Sequence, residues 1–174
     1  MTSGRTTTTT TTIRTTTTVP SPIGPITLTA VDGVLSGVYT DAETHRPSVE
    51  ALGTPDPAGF EEAAEQLRAW FAGERTDFGL ATHPVTGTPF QRRVWAALDE
   101  IGYGQTATYG EIAAAVGQPT AVRAVGAANG RNPLCIVVPC HRVVGADGSL
   151  TGYSGGIERK SWLLDHEQRV LAAR

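Results

Sequence analysis

The sequence predicts an α/β plus α fold: a small N-terminal antiparallel sheet carrying a helix, then a helical half built around a helix-turn-helix pattern. Three observations lead there. Residues 24–40 alternate apolar and small polar side chains on either side of Asp32-Gly33, the signature of a β-hairpin. Residues 58–73 carry Phe60, Ala63, Ala64, Leu67, Trp70 and Phe71 at helical spacing and stop at Gly73. From residue 88 onward, two capping boxes, Thr88-Pro89-Phe90-Gln91 and Thr108-Tyr109-Gly110-Glu111, each head a helix-period run. The chain then divides into a Thr-rich tail (1–19), an N-terminal α/β domain (20–82), a linker (83–87) and a second domain (88–174).

The tail has almost nothing apolar to offset the entropy of ordering it, so it is expected to be disordered. Residues 41–57 are rich in proline and polar groups and read as loop. In the second half, Phe90, Val94, Leu98 and Ile101 form one helical face that Gly102 ends. The next helix runs to Gly117, and Thr120 can cap the one after it, TAVRAVGAANG. Two short helices about a glycine-containing turn match a helix-turn-helix. In the second of them, Ala121, Ala124, Gly126, Ala127 and Ala128 surround a single long cation, Arg123, which suits close approach either to another surface or to a neighbouring helix. CIVV (135–138) reads as a strand, Asp147-Gly148 as the turn of a hairpin or wing, and 157–174 as a terminal helix.

With 40% apolar and 18% charged residues, the composition is that of a globular protein. No run approaches the roughly 20 apolar residues of a membrane span, and the first residues lack the apolar core of a secretory signal. A cytoplasmic protein is expected. Charge is uneven: residues 1–87 hold five basic and ten acidic side chains, residues 88–174 nine and seven, so a polyanion would meet the second half. Two cysteines, 135 and 140, and four histidines show no metal-ligand spacing, so neither a metal nor a disulfide is expected.

The chemistry concentrates in Pro139-Cys140-His141-Arg142. A thiol with an imidazole in reach becomes a nucleophilic thiolate near neutral pH. In an extended segment, however, adjacent side chains point apart, so a turn or a bridging water is needed. Glu167 lies three or four residues from Leu163, Leu164, Val170 and Leu171, inside the apolar face of the last helix. A carboxylate there needs a partner. That partner is either His141, giving a Cys140–His141–Glu167 triad, or an arginine such as Arg142 or Arg159.

Residues 123–167 closely resemble the active-site domain of the O6-alkylguanine-DNA alkyltransferases (methylated-DNA–protein-cysteine methyltransferases). PCHR at 139–142, RAVG at 123–126, Asn132-Pro133 and YSGG at 153–156 occur in that family's order, and residues 95–113 and SPIGPITL also match. The resemblance implies a ribonuclease H-like first domain and a winged helix-turn-helix-like second domain. It implies direct reversal of DNA damage: Cys140 takes the alkyl group from O6 of guanine, and from O4 of thymine, once per molecule and without a cofactor. His141 would be the base, through a water, with Glu167 orienting it and Tyr109 donating a proton to the departing base.

The partner would be double-stranded DNA with the lesion flipped out, and the protein a monomer away from membranes. Thr120, Ala121, Val122, Arg123, Gly126 and Ala127 would line the DNA, Arg123 filling the vacated space; Val122 is bulkier than the small residue expected there. Asn132, Val143, Tyr153 and Ser154 would form the substrate pocket. Some relatives carry zinc in the first domain; residues 1–87 hold no cysteine, so none is expected here. Cys135 is expected to be a packed core residue. Two other readings compete: a non-catalytic damage binder, which would lack the acceptor that Cys140 provides, and a cysteine hydrolase, for which no oxyanion motif is found.

Overall fold

The computed structural model describes residues 12–174. A four-stranded sheet of order β3-β2-β1-β4 comes first, from β1 (Arg14–Val19), β2 (Ile26–Val31), β3 (Val34–Thr40) and β4 (Thr54–Pro55). The hairpin β2–β3 turns at Asp32-Gly33 as its sequence dictates, with both residues at positive φ.

Three expectations for this half are corrected. Residues 14–19 of the predicted disordered tail are strand β1, paired along its whole length with β2, while residues 1–11 lie outside the described residues. Threonine is β-branched and suits a half-buried pleated surface, and Thr16 Oγ1 adds a bond to Leu28 O at 3.0 Å. Counting apolar groups missed the ladder. The sheet is mixed rather than antiparallel, because β4 runs parallel to β1 at its edge. The expected loop at 41–57 contains β4 and a short helix, α1 (Val49–Leu52), capped by Ser48.

Helix α2 (Glu61–Phe71) buries Ala63, Leu67 and Trp70 in a core shared with Ile26, Leu28 and Val38 of the sheet. The same core continues through Val94, Trp95 and Leu98 of α3 (Pro89–Asp99) to Leu163 of α6 (Ile157–Ala172). Both predicted capping boxes form, Thr88 with Gln91 and Thr108 with Glu111, and they start α3 and α4 (Tyr109–Ala115). Helix α5 (Val122–Gly130) packs on α3 and α4, and Trp95 Nε1 donates to Ala128 O at 2.8 Å.

The second half differs from expectation in three places. Thr120 does not cap α5; Ala121 occupies the N-cap position and no side chain accepts from the first turn, because a Gln118–Ala121 turn carries the chain in. CIVV is not a strand. Leu134 bridges to Val38 of β3, the chain then folds back so that Val138 N–H reaches Leu134 O at 2.8 Å, and Ile136 sits at φ 71. The wing does not form as a hairpin: Val143–Val144 (β6) pairs in parallel with Ala107–Thr108 (β5). A turn closed by Gly145 N–H donating to Ser149 O at 2.8 Å remains, and beyond it the arms are joined by the Lys160 ammonium, which donates to the carbonyls of Val143 and Thr151.

The open edge of β3 therefore receives the second half of the chain. Val38 N–H donates to Pro133 O at 2.8 Å, Cys135 N–H donates to Val38 O at 3.1 Å, and His83 N–H donates to Leu35 O at 2.9 Å. This edge depends on Gly37, where a β-carbon would lie 2.3 Å from the buried Tyr39 ring and 2.5 Å from Thr29 Oγ1. Gly37→Ala is expected to overpack the strand at a cost of about 1–3 kcal/mol. Urea denaturation checks this, and an unchanged midpoint would show that Tyr39 moves aside freely.

Candidate active site

Pro139 ends the folded-back segment, and Cys140–Arg142 then form one 3-10 turn. The turn resolves the geometric objection raised by the sequence, since all three side chains face inward: Cys140 is 4% exposed, His141 0% and Arg142 7%. Helix α6 brings Glu167 to the turn, also 0% exposed. His141 Nε2 lies 2.8 Å from Glu167 Oε1. Arg142 donates through Nε and Nη2 to the same carboxylate at 2.9–3.1 Å, and Gly104 N–H donates to Oε2 at 2.8 Å. Both partnerships that the sequence offered for Glu167 exist at once. Arg159 pairs with Asp41 instead.

Charge in this cluster is balanced. Burial alone would push the Glu167 carboxyl up, but the hydrogen bonds and charges of His141 and Arg142 outweigh it and hold Glu167 below the ordinary carboxylate value. Burial lowers the His141 pKa; the bond to Glu167 opposes this, while the charges of Arg142 and Lys160 reinforce it. At neutral pH the ring is then uncharged. With Nε2–H donated to Glu167, Nδ1 carries the lone pair, and Nδ1 is buried with no protein hydrogen-bond partner. A neutral imidazole with an open Nδ1 is a competent base.

Lys160 was not among the candidate residues. It is 0% exposed on α6. Burial, opposed by the charge of a Cys140 thiolate, lowers its pKa to about 8. Its ammonium also lies 5.9 Å from the centre of the Tyr109 ring. The signal for it was in the sequence: seven residues before Glu167 and three before Leu163, it stands on the same helical face, where a charged group needs a partner as much as Glu167 does. The buried residues of α6 are Lys160, Leu163, His166 and Glu167, whereas the predicted face residue Leu171 is 43% exposed.

Tyr109 opens α4, and its hydroxyl donates to Thr151 O at 2.8 Å. Burial raises its pKa, so it stays protonated at neutral pH. Cys140 is held below the ordinary thiol value first by the influence of the neighbouring Cys135 side chain, then by Asn132 and the charge of Lys160, against burial and the charge of Glu43. Asn132 also braces the fold-back, its Nδ2 donating to Val138 O at 2.8 Å and its Oδ1 accepting from Leu134 N–H at 3.0 Å.

The four expected pocket residues do not line one cavity. Tyr153 and Ser154 border an open cleft of about 750 Å³ with Ile23, Thr44, Arg159 and Trp162. Asn132 borders a different cavity of about 340 Å³, and Val143 is fully buried, its carbonyl on Lys160. On α5, Val125, Ala128 and Asn129 face the core. Val122, Arg123 and Ala127 are exposed, as is Thr120 before the helix, and Ala121 and Gly126 are half-buried. Asn129 Nδ2 donates to Cys140 O at 3.3 Å, which ties this helix to the reactive turn. Among the described residues no group of three His, Cys, Asp or Glu is placed to hold a metal ion, and no helix is long and apolar enough to cross a membrane.

Comparison with known proteins bears on each half. Residues 14–84 match the ribonuclease-like domain of 6-O-methylguanine DNA methyltransferase, and residues 89–169 match its DNA-binding domain. The methylated-DNA–protein-cysteine methyltransferase of Mycobacterium bovis is 53% identical over 151 residues, 87% of this chain and 90% of that protein. The crystal structure of Mycobacterium tuberculosis OGT in complex with DNA superposes with a TM-score of 0.85 at 51% identity, covering 90% of this chain and 94% of that one. A crystal structure of the Mycobacterium tuberculosis O6-methylguanine methyltransferase gives 0.81 at 50% identity, covering 91% and 94%. Two domain matches in the same order, and a relative with half its residues in common over 87% of the sequence, place this chain in the 6-O-methylguanine DNA methyltransferase family.

Proposed function

We propose that this chain repairs alkylated DNA by direct reversal, moving the alkyl group of O6-alkylguanine, and of O4-alkylthymine, onto its own Cys140. The observation that carries the reading is the buried turn that sets Cys140 beside a neutral His141 held by Glu167, within a chain of the methyltransferase family. The Cys140 sulfur attacks the alkyl carbon, the bond from that carbon to O6 breaks, and its electron pair stays on the guanine oxygen. Tyr109 gives its hydroxyl proton to the departing base. The thiol proton, taken up at His141 Nδ1 through one water, balances that transfer. The product is a thioether, which water does not cleave under cellular conditions, so each molecule acts once and the step as written needs no cofactor.

Glu167 acts by fixing the tautomer of His141 and stabilising the imidazolium that forms. Lys160 favours the thiolate by its charge. The partner is duplex DNA, bound by a cytoplasmic monomer through α5. Its first turn is uncapped, so its N–H groups are open to a phosphate, and its small residues allow close approach to the minor groove. Arg123 is exposed at the start of that helix and fills the stack when the lesion is flipped out. Tyr153 and Ser154 border the cleft that receives the base, while Asn132 braces the fold-back behind the reactive turn and Val143 continues it; because Cys140 is nearly sealed, reaching it requires the loop at 151–156 to shift.

Incubation with a duplex carrying O6-methylguanine is expected to add one methyl group per molecule, on the peptide containing Cys140. Binding without a mass change would overturn the reading. Cys140→Ala should bind this DNA and gain no mass. Arg123→Ala should slow repair of the duplex far more than reaction with free O6-benzylguanine, because only the duplex must be opened; equal losses would give Arg123 another role. Glu167→Gln is expected to slow transfer by about a hundredfold and to cost about 3–5 kcal/mol of stability, since Arg142 is left as a buried charge without its counter-ion. Single-turnover kinetics and urea denaturation measure the two effects separately.

A further inference from the structure

Cys140 is 4% exposed, so the groups that hold the 151–156 loop down set how readily its sulfur is uncovered. At its start the loop is tied by Lys160 and Tyr109 through the Thr151 carbonyl. At its end it is tied by a residue that the reaction above does not use. Arg159, in the first turn of α6, spreads its guanidinium over three acceptors. Nε donates to Ile23 O at 2.8 Å, Nη1 to Gly155 O at 3.2 Å and Nη2 to Asp41 Oδ1 at 2.5 Å. Ile23 lies just before β2 and Asp41 just after β3, so two acceptors belong to the first domain and the third to the loop. From the same domain, Thr44 Oγ1 adds a longer bond to Ser154 O at 3.4 Å.

Helix α6 itself gains no stability from a cation here. A positive charge in the first turn opposes the helix dipole, and no side chain caps this N-terminus to offset it. The turn that meets the guanidinium is shaped to it: Gly24, at φ 101, would place a β-carbon 3.4 Å from Arg159 Nη2, and Ser21 Oγ closes the turn on Gly24 O at 2.5 Å. Arg159 also borders the 750 Å³ cleft, which Ile23 and Thr44 line together with Tyr153 and Ser154. Its planar fork reaches both walls at once, which the single ammonium of a lysine does not. The hold is limited, because the Arg159 and Asp41 side chains are 23% and 47% exposed, and a partly exposed ion pair is weak. A tie of that strength keeps the loop closed at rest and lets it open without unfolding the chain.

We propose that Arg159 is a positioning residue of the alkyl transfer: its fork latches the 153–156 loop to the first domain, and release of the latch uncovers Cys140. This deepens the reading above and rests on Cys140 being the acceptor.

The test is the rate of Cys140 alkylation by iodoacetamide across pH in the full chain, with the modified peptide identified by mass. Arg159→Ala should raise the rate about two- to fivefold at every pH, the weight of one partly exposed ion pair, and leave the midpoint of the rising limb in place. Arg159→Lys, which keeps the charge and loses the fork, should give most of that gain. Asp41→Asn, which leaves both carbonyl bonds, should give a smaller one. In urea below the unfolding transition the gain should hardly change, because opening one loop exposes little surface. Rates equal to the parent protein's in all three variants would overturn the proposal. So would a gain that climbs steeply with urea, which marks global unfolding, or a shifted midpoint, which marks an effect of charge on the thiol. If Arg159→Ala does not fold, Arg159→Lys and Asp41→Asn decide by the same criteria. Iodoacetamide needs no guanine, so failure of the repair reaction would not disturb this readout.

Discussion

The Glu167 carboxylate accepts hydrogen bonds from three groups on two separate pieces of chain: the imidazole and guanidinium of the 140–142 turn, and the backbone N–H of Gly104 after α3. Helix α6 carries it, so one side chain fixes the last helix, the reactive turn and the loop beneath them in a single arrangement. A carboxylate with no solvent exposure tolerates burial because every donor is supplied by the protein, two of them from charged or chargeable groups. Arg142 matters as much as His141 here. It neutralises Glu167, so His141 can remain an uncharged base at rest instead of being drawn into a permanent ion pair.

The turn is equally dependent on the sheet. Residues 133–135 add to the edge of β3, and the chain then reverses through Ile136, a β-branched residue at φ 71. That conformation costs on the order of 1–3 kcal/mol. Burial of the Ile136 side chain and the two hydrogen bonds of Asn132 oppose it. The N-terminal domain thereby contributes to the site without supplying a reacting group: it fixes the edge from which the nucleophile's segment departs. A strained reversal directly before a reactive thiol holds the sulfur in one place.

Around the sulfur, cations and donors face a low-dielectric interior. Lys160 bridges the carbonyls of Val143 and Thr151, and Tyr109 donates to the same Thr151 carbonyl. One ammonium therefore joins the chain on both sides of the 145–149 turn, the expected proton donor and, by its charge, the nucleophile. Position and reactivity are set by the same ammonium, because Lys160, which holds the loop, also lowers the cost of a thiolate.

Much was legible in the sequence by itself. Local signals determined the hairpin at Asp32-Gly33, the capping boxes of α3 and α4, the face of α2 and the position of the PCHR turn, because each depends on residues close in the chain. The partner of Glu167 was narrowed to a histidine or an arginine by the same helical spacing that showed it to be buried. Only the tertiary structure decided that both pair with it, that Arg14–Val19 is a strand, that CIVV is a strained reversal and that Cys135 meets the Tyr153 hydroxyl. Each of these is settled by a group distant in sequence: β2 completes the ladder of β1, β3 takes the bonds that a CIVV strand would have needed, and Glu167 meets a turn 25 residues away. Sequence periodicity reports which side of an element is buried, whereas the identity of what it is buried against is a property of the packed chain.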